Sequence, residues 1–114
     1  GRYFIAERRS GAAGGTPVGQ MLLTYEWSDW RNGVFWWIQS VYVVAGQRGA
    51  GVFAAIFRHV EAAARRDPRV CGLRLYVDRE NAGARSIYTH LGLHVSNYDI
   101  MENVFRGPVS HRED

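Results

Sequence analysis

The sequence predicts a mixed α/β domain of the α+β kind, in which a mostly antiparallel, twisted sheet is joined by helical crossovers. Three observations carry that expectation. Three strand-like segments, Tyr3 to Glu7, Val18 to Trp27 and Val34 to Val44, come first, separated by turn residues. At Val52 the apolar period then changes from two to three and four. A further strand pattern, Val70 to Val77, and a second helical pattern closing at Gly92 follow it.

At 114 residues the chain is long enough for one domain to bury a core without disulfides or a structural metal. With 46% hydrophobic and 22% charged residues it has the balance of a folded rather than a disordered protein. The net charge is +3 and all 14 basic side chains are Arg, paired only at Arg8-Arg9 and Arg65-Arg66, so no nucleic-acid-binding stripe is predicted. No apolar run approaches the roughly 20 residues of a membrane span. The N-terminus carries no basic-then-apolar leader. These features predict a cytoplasmic protein with neither a membrane nor a nucleic-acid partner.

The first strand, Tyr3 to Glu7, runs into a small-residue loop at Ser10 to Gly15. The next two strands form a hairpin around Ser28-Asp29-Trp30-Arg31-Asn32-Gly33. Tight closure places Glu26, Thr24, Leu22 and Gln20 near Phe35, Trp37, Gln39 and Val41 on one face. Trp27, Trp30, Trp36 and Trp37 cluster there as packing residues, and any that stay exposed are available to an acceptor site or a dimer surface. Val52, Phe53, Ile56, Val60 and Ala63 or Ala64 define an amphipathic helix to about Arg66, which Asp67-Pro68 stops.

Beyond it, Val70 to Val77 reads as a buried strand, and Cys71 within it, with no His or Asn partner, as a buried structural thiol. Asp78-Arg79-Glu80 turns the chain. Asn81 caps a short helix whose Ala84, Ile87, Tyr88 and Leu91 share a face, and Gly92 ends it. Asn97 to Phe105 is expected as a last strand, giving a domain over 1–105 and a polar tail over 106–114. The four His lack metal-ligand spacing, and no metal is predicted.

Chemistry concentrates at the turn before the first helix. Gly46, Gly49 and Gly51 allow the backbone to approach a ligand, the helix start gathers unpaired N–H groups, and Arg48 adds a fork of donors. Together these make an anion site. Alone, the turn also admits a plain connection or a dinucleotide site, because Gly49 to Ala54 fits G-x-G-x-x-G/A and Asp78 ends the next strand. Against the dinucleotide reading, Ala45-Gly46-Gln47-Arg48 separates the strand from the first glycine of that fingerprint, and the strands before it read as antiparallel.

Arg48-Gly49-Ala50-Gly51-Val52-Phe53, preceded by the strand Ile38 to Val43, resembles the pyrophosphate motif of the GNAT superfamily of N-acetyltransferases. Downstream, Leu73 to Val77 followed by Asn81, Ala84, Tyr88, Leu91 and Gly92 is similar to that family's strand, N-x-x-A-x-x-x-Y helix and closing L-G pair. The resemblance covers Tyr3 to Phe105. It implies a GNAT-like acyl-CoA acyltransferase fold, with acetyl-CoA as acetyl donor and a primary amine, on a small molecule or a peptide, attacking directly.

By the same resemblance, the backbone of Val41, Tyr42 and Val43 would bind the pantetheine arm, with an N–H near Val41 stabilising the oxyanion. Gln47, Arg48, Gly49, Ala50, Gly51, Val52 and Phe53 would hold the pyrophosphate. Asn81 and Tyr88 would also contact the donor, and Tyr88 would be the general acid toward the departing thiolate. Three departures accompany the match. Phe53 replaces a small residue. Gln39 stands where many relatives carry a Glu base. The family's usual first strand and the two helices after it find no counterpart before Tyr3, so the resemblance implies an N-terminally truncated domain. For the base, Glu26, Asp78, His90 and His94 are candidates on chemistry, and none is singled out. The alternatives are an acyl-CoA-binding module without turnover and a dinucleotide-binding domain. Exposed strand edges are compatible with a homodimer.

Overall fold

The computed structural model describes residues 1–8, 15–47 and 51–108. Its elements are β1 (Arg2–Arg8), β2 (Thr16–Ser28), β3 (Gly33–Val43), a one-turn 3-10 helix (Ala45–Gln47), α1 (Val52–Arg66), β4 (Val70–Leu75) and α2 (Ala82–His90). The four strands lie in the order β1-β2-β3-β4. β1–β2 and β2–β3 are antiparallel, and β3–β4 is parallel across the α1 crossover.

The β2–β3 turn closes with the Asn32 N–H on the Asp29 carbonyl at 3.2 Å, and Asn32 takes φ 50°, a conformation Asn tolerates better than most residues. The expected register holds at first: Glu26 faces Phe35 and Thr24 faces Trp37. It then shifts by one residue. Leu23 pairs with Ile38 and Leu22 with Ser40, so Gln39 is the extra residue of a β-bulge, and Gln20 meets Tyr42 instead of Val41. The bulge lets Ile38 and Val41, three residues apart, both pack on the core side.

That core lies between one sheet face and α1. Met21, Leu23, Trp36 and Ile38 from the sheet meet Ile56, Phe57, Val60 and Ala64 from the helix, and Leu91 joins them from beyond α2. Phe4, Ala6, Leu73 and Leu75 pack around the edge. Of the expected stripe the helix buries Ile56, Val60 and Ala64 and half-buries Val52 and Phe53, and it also buries Phe57, which lay outside that expectation. Asp67 ends it, its N–H reaching the Ala64 carbonyl at 3.1 Å, while Arg65 and Arg66 complement the negative end of the dipole.

Asn81 caps α2 as expected, its Oδ1 accepting the Ala84 N–H at 3.0 Å. The far end is a Schellman turn: the N–H groups of Gly92 and Leu93 bond the carbonyls of Thr89 and Tyr88, each at 3.0 Å, with Gly92 at φ 101°. Of the expected apolar face, Ile87 is exposed.

Three expectations need correction. The strand expected over Asn97 to Phe105 does not form; this segment is irregular, and Tyr98, Ile100, Met101, Val104 and Phe105 are exposed. Alternation in a sequence chooses a face, but a strand also needs a partner for its N–H and C=O groups, and the structure pairs none with this segment. β4 ends at Leu75, two residues before Val77, where its pairing with β3 ends. Cys71 is exposed, not buried. Val34 pairs with Val70 but Phe35 with Gly72, which makes Cys71 the extra residue of a second bulge and turns it off the core side.

Candidate functional site

The β3–β4 ladder starts at Val34–Val70 and stops at Ile38–Leu75. β3 runs on to Val43, still bonded to β2 through Val43–Gly19. Past Ile38 the two parallel strands thus separate into a fork, and Gln39 to Tyr42 have no β4 residue opposite. An extended chain carrying amide groups can pair along such an edge. Val41, Tyr42 and Val43, the residues expected to hold the pantetheine, lie on this arm. Val41 and Val43 are half-buried and Tyr42 is exposed.

The anion-binding turn follows directly. Gln47 closes the 3-10 turn, and Gly51 caps α1 at φ 79° with no side-chain cap. An L side chain would be strained there. Ala55 N–H bonds the Gly51 carbonyl at 3.0 Å, and the N–H groups before it in the helix have no acceptor among the described residues. Arg48, Gly49 and Ala50 lie outside the described residues.

Val52 and Phe53 are half-buried at the helix start. Phe53 packs against Phe57, ring centroids 6.2 Å apart, and edge-on against Tyr88 at 5.8 Å. The bulky residue that departs from the family pattern therefore joins α1 to α2. This contact holds the half-buried Tyr88 ring beside the α1 start, and its hydroxyl has no hydrogen-bond partner among the described residues. Tyr88 also lines a cavity of about 340 Å³ that includes Leu75, Tyr76 and Val77 at the end of β4. Asn81 is exposed and acts as the helix cap.

The candidate bases fare differently. Asp78 accepts the Glu80 N–H at 2.8 Å as a turn residue, and His90 is exposed in the last turn of α2. His94 lines the cavity. Glu26 lines it too, but its Oε1 accepts both the Trp37 indole N–H at 2.9 Å and an Arg74 N–H at 2.8 Å. The Trp37 hydrogen bond, with Arg74 adding a bond and a charge, holds this carboxyl below the usual range despite partial desolvation. Gln39 donates to Thr24 Oγ1 at 2.9 Å.

Sequence reasoning missed the surroundings of Glu26. Arg74 lies over the Phe35 ring at 3.6 Å, and Trp37 meets Tyr76 at a tilt, with centroids 4.5 Å apart. The period-two run Phe35, Trp37, Gln39 opposite Glu26 and Thr24 was the signal for this polar-aromatic face. Of the four Trp residues, Trp36 is buried in the core, Trp37 lines the cavity, and Trp27 and Trp30 are exposed at the turn. Among the described residues no group of three or more His, Cys, Asp or Glu side chains is placed to hold a metal, and no helix is long and apolar enough to cross a membrane.

The sequence model of the Acetyltransferase (GNAT) family matches residues 1–93. No curated protein matches. Among solved structures, a possible acetyltransferase from Clostridium difficile 630 is 40% identical, with a TM-score of 0.75 over 82% of this chain and 61% of that one. Ribosomal-protein-alanine N-acetyltransferase from Brucella melitensis biovar Abortus 2308 is 18% identical, with a TM-score of 0.67 over 87% of this chain and 68% of that one. Arabidopsis thaliana Naa50, solved with the bisubstrate analogue CoA-Ac-MVNAL, is 21% identical, with a TM-score of 0.60 over 72% of this chain and 53% of that one. The last two likenesses concern the fold alone. This chain spans about three-fifths of the length of the Clostridium protein.

Proposed function

Since the chain belongs to the Acetyltransferase (GNAT) family, we propose that it binds acetyl-CoA in the β3–β4 fork and transfers the acetyl group to a primary amine by direct attack. The observation that carries this reading is the end of the ladder at Ile38–Leu75, with Tyr88 held beside the adjoining start of α1 by Phe53. An open strand edge, a helix N-terminus and a phenol whose hydroxyl has no partner among the described residues suit, in turn, a pantetheine arm, a pyrophosphate and a thiolate.

Acetyl-CoA supplies a thioester whose C–S bond breaks as the amine nitrogen bonds the acetyl carbon. The backbone of Val41, Tyr42 and Val43 aligns the donor, and an N–H near Val41 stabilises charge gathering on the carbonyl oxygen. The turn from Gln47 through Arg48, Gly49, Ala50 and Gly51 to Val52 and Phe53 binds phosphate oxygens through N–H groups, the helix dipole and the Arg48 fork. Tyr88 gives its proton, or a hydrogen bond, to the leaving sulfur. Water carries away the proton the amine loses, since Glu26 is engaged by Trp37 and Arg74 and Gln39 is an amide.

The engagement of Glu26 by Trp37 and Arg74, with an amide at Gln39, favours the second reading, a CoA-binding module without turnover. Calorimetry with acetyl-CoA and a CoA-release assay over a panel of amines separate the two. Binding with amine-dependent release supports transfer. Binding without release for any amine supports the module, and no binding removes both.

A further inference from the structure

Building on the donor site proposed above, we infer that Arg74 is a specificity-determining residue that binds the carboxylate of the acceptor, so that the acceptor is a free α-amino acid with an apolar or aromatic side chain. Arg74 pairs with Trp37 one rung before the fork closes at Ile38–Leu75. Its neighbours Leu73 and Leu75 pack toward the core, whereas Arg74 meets Glu26 and Phe35 on the sheet face away from α1. The guanidinium is fixed from two directions, by Glu26 Oε1 at 2.8 Å on Nη1 and by the Phe35 ring at 3.6 Å against its plane.

Its side chain is 27% exposed, and Nε and Nη2 have no partner among the described residues. A planar guanidinium held still with donors to spare is a preorganised fork for a carboxylate. The cavity's charge points the same way. Among the described residues Glu26 is the one carboxylate that lines it and is already paired, while Arg74 and Arg85 both line it, the latter reaching only the Arg79 carbonyl at 3.5 Å.

Geometry sets the class further. A carboxylate on Arg74 keeps an α-amine, one carbon away, next to the rung where the fork opens and the thioester lies. The adjoining Trp37 and Tyr76 rings, with Tyr98 and Ile100, line the remainder of the cavity and suit an apolar side chain.

The test compares phenylalanine, phenylalaninamide, phenethylamine and a short peptide with an N-terminal phenylalanine, after calorimetry has shown that acetyl-CoA binds. A charge-assisted fork predicts a kcat/KM for phenylalanine about 10- to 100-fold above the amide and phenethylamine. The amide, lacking the negative charge that stabilises its ammonium, loses its proton more readily, so the bias runs against the expected order. In Arg74→Gln, which can still donate to Glu26, the preference falls to about parity; Arg74→Lys, a charge without the fork, keeps part of it.

Equal use of acid and amide, preference for the peptide, or a preference that survives Arg74→Gln overturns the assignment. Should no amine react, phenylalanine is titrated into the CoA-saturated protein: heat that disappears in Arg74→Gln supports the assignment, and no heat overturns it. Failure of acetyl-CoA itself to bind removes the donor reading instead.

Discussion

Tyr88→Phe removes a single oxygen and leaves the ring in place. The ring makes the edge-on contact with Phe53 at 5.8 Å, and the hydroxyl has no partner among the described residues, so the fold should barely register the change. The expected effect on stability is under about 0.5 kcal/mol, within about 4 °C in Tm for a domain of this size. Activity should respond quite differently. General acids contribute about 10²–10⁴-fold, and Tyr88 belongs at the lower end, because a hydrogen bond to the leaving sulfur supplies part of the effect without full proton transfer. A fall in kcat of about 100-fold, about 2.7 kcal/mol of barrier, is therefore expected at saturating acetyl-CoA. Thiol release and thermal unfolding, measured on the same preparation, read the two quantities. A variant that keeps the wild-type kcat refutes the acid role; one that loses acetyl-CoA affinity in the same proportion makes Tyr88 a binding group only.

Other substitutions probe the surrounding geometry. Glu26→Gln should leave kcat within about twofold of wild type, whereas a general base would lose about 100-fold or more; rate measurements at saturating amine decide. Because the folded pKa of Glu26 is depressed, its stabilising contribution is present above the unfolded carboxylate's pKa and is lost as pH falls through the folded value. Urea midpoints should then drop less steeply on acidification in Glu26→Gln than in wild type. Gly72→Ala would bring a Cβ to 2.8 Å from Phe35 Cε1, and the buried ring cannot yield freely beneath Arg74, so a loss of about 1–3 kcal/mol is expected in urea unfolding. Gly92→Ala, at φ 101°, should cost about 1–2 kcal/mol by the same measurement, and an unchanged midpoint would contradict the Schellman turn.

Much of this architecture was legible in the residues. The α1 stripe, the Asn81 cap and the Gly92 stop depend on local spacing, which a sequence displays directly. The hairpin register was legible from the turn as far as Trp37 and lost at Gln39, because a bulge is set by packing on both sides of the sheet rather than by the alternation itself. The exposure of Cys71 was hidden for the same reason. Asn97 to Phe105 alternates like a strand, yet pairing is a property of two segments, and one segment cannot show it. At the site, Tyr88 was singled out by the resemblance of Asn81 to Tyr88 to the GNAT helix motif, while its contact with Phe53 came only with the fold. Arg74, which lies 48 residues from Glu26 in the chain, could be found only after the parallel rungs brought the two together.

The rungs that form the fork also have a place in time. β1, β2 and β3 pair with strands that are adjacent in the chain, whereas β4 reaches β3 only once the whole of α1 has been laid down. Its pairs, Val34–Val70 to Ile38–Leu75, close the longest loop among the described strand pairings and gain their stability latest for the chain entropy they consume. On that ordering, peeling β4 from β3 would be a partial opening at the fork that leaves the β1–β2–β3 pairings in place. A ligand bonded to both sides of the fork acts as a stitch. Its occupancy would be written in the amide exchange of β4, slowed by the full binding free energy, while the protons of β1 keep their own pace.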